Sequence, residues 1–176
     1  DGALLGGDTL SGGSFAFLDP NVGNAKTVAV SNASVNDGNF GANYSLSYVP
    51  NATSSITQLA TANWLGLAGT NHWSDAANWD ALPSGSNVAS VVIASGSGSI
   101  DMNLAGVNLQ SVTSTRPISQ SANAGFVSNS LNLSSVGGLN LGGSANQIGQ
   151  LGVSNSGSGD IVITNGVPLT ITSASN

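Results

Sequence analysis

The chain contains no cysteine and no glutamate. The first absence excludes disulfides, thiolate metal sites and cysteine nucleophiles. The second leaves eight aspartates as the only acids, with Lys26 and Arg116 the only strong cations and a net charge of −6. Two cations cannot neutralise a run of phosphates, so neither nucleic acid nor an anionic membrane surface is an expected partner. No apolar run approaches the ~18 residues of a spanning helix, and no stretch carries a sustained helical apolar period. Asp1-Gly-Ala-Leu-Leu lacks a basic start and a long apolar segment, so the chain reads as a mature product or a piece of a longer one.

Catalytic chemistry is equally sparse. Paired carboxylates are missing, and Asp101 and Asp160 stand alone in their strands. Asp19-Pro-Asn-Val-Gly has the residues of a turn and only part of a calcium-loop ligand set. His72 with Asp75 or Asp80 lacks a supporting constellation. Lys26 is the single candidate for an isopeptide cross-link, with no glutamate to catalyse it. Asn32-Ala-Ser, Asn43-Tyr-Ser, Asn51-Ala-Thr and Asn132-Leu-Ser match the N-glycosylation pattern, which arises readily by chance in a chain this rich in Asn and Ser. No catalytic residue, metal or cofactor is expected, and the chain reads as a non-enzyme.

What the sequence does contain is concentrated between Leu131 and Ile171. Apolar-x-apolar triplets recur there at Leu131/Leu133, Leu139/Leu141, Leu151/Val153, Ile161/Ile163 and Leu169/Ile171. Each puts two side chains on one face of a strand and a polar or small one on the other. Every second triplet is displaced by about 20 residues, the length of one coil of a parallel β-solenoid. The rival reading is a β-sandwich, whose strands also recur every 8–12 residues. Ile100-Asp-Met and Val107 to Val112 read as further coil strands, and Ser119 to Gly125 as a loop bulging from a coil. Either way the fold class is all-β.

The first 59 residues alternate strands with turns. Ser14 to Leu18, Lys26 to Val30, Tyr44 to Val49 and Ser54 to Thr57 read as strands. Asp19-Pro-Asn-Val-Gly and Asn36-Asp-Gly-Asn read as turns, and Pro50 as a break. Gly7-Asp-Thr-Leu, Phe17-Leu-Asp-Pro-Asn-Val-Gly-Asn-Ala-Lys-Thr-Val, Gly41-Ala-Asn-Tyr-Ser-Leu and Ile56-Thr together resemble the YDG/MBG-type repeat modules of large bacterial surface adhesins. That resemblance implies a small β-grasp-like or β-sandwich module. The opening Tyr-Asp-Gly strand is missing. Either the sequence was cut within a longer protein, or a neighbouring subunit supplies the strand by complementation.

All three tryptophans fall between Trp64 and Trp79. Clustered rings suit a cap on the open end of a solenoid. Alternatively Trp64, Trp73 and Trp79, with His72, form a glycan-binding face if the rings are exposed and coplanar. The Trp-Ser-x-x-x-Asn-Trp pattern resembles a segment that precedes the solenoid coils in autotransporter-type and related passengers. The Ala145-Asn-Gln-Ile-Gly-Gln-Leu corner with the Gly159-Asp-Ile-Val-Ile-Thr-Asn run is similar to repeats of filamentous-haemagglutinin-like passengers. That family implies a right-handed parallel β-helix, exported by two-partner secretion or as an autotransporter. The expected organisation is a partial YDG/MBG-like module over 1–59, a Trp-rich junction over 60–87 and solenoid coils over 88–176. The expected role is a structural subunit or segment of an extracellular bacterial fibre or adhesin. Its expected partners are copies of itself, joined head to tail through open β edges, and surface glycans, with no membrane insertion.

Overall fold

A computed structural model describes residues 4–176; Asp1 to Ala3, at the start of the expected first module, lie outside the described residues. The protein is all-β, with one single-turn 3-10 helix at Ala76–Asn78 and no α-helix among the described residues. The chain divides into two compact units between Thr57 and Gln58.

The first unit is an antiparallel sheet in the order β1 (Thr9–Phe17), β2 (Gly23–Asn36), β3 (Asn51–Ile56). Phe15 faces Val30 and Phe17 faces Val28 across the β1–β2 pair, the cross-strand apolar contact that stabilises sheets. The turn after β1 is fixed by Asp19, whose carboxylate accepts the Asn21 backbone N–H at 2.9 Å and pairs with Lys26. Asp37 anchors the next turn through the backbone N–H groups of Asn39 and Gly41, both at 2.8 Å.

Tyr44 to Val49 was expected as a strand and is irregular. Its tyrosines bond sideways instead. Tyr44 Oη donates to Asp8 at 2.5 Å, and Tyr48 Oη exchanges hydrogen bonds with the backbone of Ala33. The strand begins only after Pro50, at Asn51. Val35 is the one buried apolar side chain of this unit among the described residues, while Phe15, Leu18 and Phe40 are exposed.

The second unit is the parallel solenoid, of about four turns. One sheet of six strands runs in the order β13 (Thr170–Ser175), β11 (Gln147–Ser156), β9 (Val127–Val136), β7 (Ser111–Ser114), β5 (Val88–Ile93), β4 (Leu59–Asn63). A second of four runs in the order β12 (Ile161–Ile163), β10 (Leu139–Leu141), β8 (Ile118–Gln120), β6 (Ile100–Met102). Leu131 pairs with Leu151, and Leu139 with Ile161, so adjacent coils are displaced by 20 and 22 residues. The expected spacing is therefore the coil period itself.

Stacking turns the triplets into columns. Ala62, Val91, Val112, Leu133 and Val153 succeed one another along the six-stranded sheet, and all are buried. Ile100, Ile118 and Leu139 form a matching column in the other sheet. Each coil covers its neighbour's apolar face, which no coil covers alone.

The expected boundaries shift in two places. The 60–87 stretch is no separate junction: β4 pairs in parallel with β5, and His72 forms a parallel bridge with Asp101 of β6, so these residues form the first coil. The loop expected from Ser119 starts later, because Ile118–Gln120 is strand β8, held between β6 and β10.

Candidate functional site

Three features of the solenoid concentrate specific side-chain geometry: the tryptophan-filled first coil, the buried amide corners, and the last coil.

In the first coil the three indoles pack against one another, one pair edge to face and the other tilted. Trp64 and Trp79 stand 4.9 Å apart between centroids at 87°, and Trp73 and Trp79 4.6 Å apart at 57°. Their exposures are 5% for Trp64, 0% for Trp73 and 4% for Trp79. A stacking platform for sugar rings needs open, coplanar faces, and these rings are interleaved in the core. The Trp64/Trp73/Trp79 platform is thus corrected on geometric grounds: the same apolar mass fills the end of the solenoid. Trp73 N–H donates to Pro83 O at 3.0 Å, and Trp79 N–H to Trp73 O at 2.8 Å, so both polar tips are satisfied inside. His72 is exposed, with Nδ1 3.0 Å from Asp101 Oδ2. Asp101 also accepts the Ser121 hydroxyl at 2.9 Å, so the carboxylate sits between the other two groups. In that order no hydroxyl is aligned on the imidazole for activation as a nucleophile.

Beside Trp64 lies Arg116, the feature sequence reasoning missed. It is 3% exposed. Its Nε donates to Gly98 O at 2.9 Å and its Nη1 to Ser95 O at 3.3 Å. Nη2 donates to Asn71 Oδ1 at 2.5 Å and to Ser97 O. The guanidinium carbon sits 5.7 Å from the Trp64 ring centroid, within cation–π range. Burial pushes its pKa down from the ordinary value. A Cβ on Gly96 would lie 2.6 Å from Nη1, so the loop closes on the guanidinium only with glycine there. The one available signal was that this chain has a single arginine, next to Pro117.

Asparagines replace charge at the corners. Asn146 is fully buried. Its Oδ1 accepts the Phe126 N–H at 2.9 Å and a Gln120 Nε2–H at 3.0 Å. Its Nδ2 shares two hydrogens among Gln120 Oε1 at 2.7 Å and Leu141 O, Gly143 O and Thr164 O, each at 3.1 Å. Those partners span three successive coils. Asn155 does the same at another corner, accepting from Gly138 N–H at 2.9 Å and donating to Gly159 O at 3.0 Å. The Ala-Asn-x-Ile corner marks Asn146 in the sequence; its spanning of coils is visible only in space.

At the other end, β12 and β13 each have one unpaired edge within their sheets. Ile171, aligned on the fully buried Leu151, is 48% exposed.

Residues 1–54 match the YDG domain family. No curated protein and no solved structure matches the chain. The YDG match and the β-solenoid together fit a surface-adhesin-like protein.

Proposed function

We propose that this chain is a structural, non-catalytic segment of an extracellular bacterial surface fibre or adhesin, and that copies of it associate head to tail. The observation that carries the reading is the parallel stack: each coil pairs its strands and its apolar column with the next coil. Among the described residues the six-stranded sheet terminates in β4 in one direction and β13 in the other, and a strand edge of this kind is a template for pairing with a further coil or another copy. A contact between two different surfaces propagates into a filament instead of closing a dimer. The YDG match supports the adhesin setting, and the exposed Phe15 and Leu18 give the first unit apolar surface for a neighbour to cover. Export by two-partner secretion or as an autotransporter belongs to this reading.

Sedimentation velocity and negative-stain electron microscopy of the purified chain test it. Concentration-dependent rods are expected, shortened or abolished by Ile171→Asp together with Ser173→Pro. Monomers at every concentration would overturn the self-association. A tryptophan emission unchanged by the double substitution would confirm that the solenoid itself still folds.

A further inference from the structure

The three indoles differ in one respect. Trp73 and Trp79 donate their ring N–H groups to backbone carbonyls. Trp64 Nε1–H meets no acceptor among the described residues, although the residue is only 5% exposed. No fully buried side-chain nitrogen or oxygen among the described residues lacks a partner, so this N–H reaches solvent. It does so through an open cavity of about 360 Å³ lined by Trp64, Gly66, Asn71, Gly96 and Arg116 among others. Gly66 keeps it accessible: a Cβ there would stand 3.1 Å from Nε1. The glycine also has φ +70°, which disfavours any side chain.

The same cavity has an uncompensated cation beneath it. Every acceptor around Arg116 is neutral: three carbonyls and one amide oxygen. The ion pairs among the described residues are Lys26–Asp19 and His72–Asp101, so no carboxylate pairs with it. Four of the five guanidinium N–H groups are committed to these acceptors, leaving one on Nη1. A desolvated charge without a counter-ion is costly, and an arriving anion recovers part of that cost. Asp75, which accepts the Thr70 hydroxyl, is the acid that approaches the rim, and it is not among the lining groups.

We propose that this cavity is a binding site for the carboxylate of an acidic sugar, with Trp64 Nε1–H and Arg116 as the recognising donors. The charge calls for an anion, and the one uncommitted Nη1–H together with the Trp64 Nε1–H offers two donors to a carboxylate. The volume lies at the lower end of small-ligand pockets, ample for a single pyranose and far larger than a bare carboxylate. Thr70, Asn71 and Ser97 line the walls, and the Ser97 hydroxyl and the second Asn71 Nδ2–H are left to meet sugar hydroxyls. The site uses the edge of one indole, not the ring faces, and stands independently of the fibre reading.

The three indole N–H resonances of ¹⁵N-labelled protein provide the test, with Trp64→Phe identifying its peak by loss. Titration with sodium glucuronate is expected to move the Trp64 peak saturably and leave Trp73 and Trp79 in place. Glucose and acetate are expected to act at least tenfold more weakly, and Arg116→Lys to weaken glucuronate by a similar factor. A Trp64 peak that does not move, or that moves equally with glucose, overturns the proposal. An equal response to acetate overturns the sugar assignment, leaving only an oxyanion hole.

Discussion

Replacing Asn146 by alanine should be among the most damaging single changes in the solenoid. The side chain is fully buried, so its removal orphans its partners and leaves a small cavity besides, the orphaned partners being the larger cost. The Phe126 N–H loses its acceptor, and the Gly143 and Thr164 carbonyls lose their donor. Leu141 O keeps a second bond from the Thr164 N–H at 2.9 Å and is not orphaned. A buried polar group left unpaired costs about 1–3 kcal/mol, and the carbonyls relax more readily than the N–H. A total of about 3–5 kcal/mol follows, against ~5–15 kcal/mol for a whole domain. For a unit of this size that corresponds to a fall in Tm of roughly 12–20 °C. Urea unfolding followed by tryptophan emission reads this unit alone, since all three tryptophans lie in it and both tyrosines in the other. Asn129→Ala, at an exposed position of β9, is the control and should stay within ~0.5 kcal/mol. A loss below ~1 kcal/mol at Asn146 would refute the argument that this amide holds three coils. Asn146→Asp sharpens the test, because it keeps the size but aims an oxygen at three carbonyls. Its buried carboxyl has a raised folded-state pKa, so the deficit is smallest below the unfolded value of ~4. It grows as pH rises toward the folded value.

Two further outcomes follow from local geometry. A Cβ on Gly125 would sit on the Ala145 carbonyl and 2.5 Å from Asn146 N, both backbone, so Gly125→Ala must displace the adjoining coil. Its cost is expected at or above the ~3 kcal/mol upper range for overpacking, and chemical denaturation measures it. In the first unit, the hydrogen bond from Lys26, aided by the Asn21 N–H, lowers the Asp19 pKa to about 2. The stabilisation it gives is present above the unfolded value and lost as pH falls through the folded one. An NMR carboxyl titration should show that low midpoint, and Lys26→Met should return it toward the ordinary range.

The coil architecture was legible because it is written twice in the sequence. Period two within Leu131/Leu133 and Leu139/Leu141 sets the inward face, and a displacement of about 20 residues sets the stack. Both are local rules that the packing obeys. Tyr44 to Val49 alternates just as well and forms no strand. Its two phenols find Asp8 and Ala33, and long-range bonds of that kind leave no periodic trace. The tryptophans were visible as a cluster, but sequence alone allowed either an exposed platform or a buried plug. The choice depended on Trp73 and Trp79 finding carbonyls at Pro83 and Trp73. Arg116 was missed for a related reason. Three of its four acceptors are backbone carbonyls of Ser95, Ser97 and Gly98, which any residue supplies, and the fourth is Asn71, 45 positions earlier in the chain.

The parallel ladders have a mechanical consequence. Hydrogen bonds between coils run along the stack, across the direction of the chain. A pull on the end of the chain therefore loads them one after another, as in opening a zip, and not all together. Each coil released adds about 20 residues of extended chain, roughly 70 Å, while the coils behind it keep their columns intact. The solenoid yields in steps of one coil and recovers in the same steps, each remaining coil templating the next. Under tension the stack is expected to lengthen coil by coil, a graded response that single-molecule pulling would read as steps of that length.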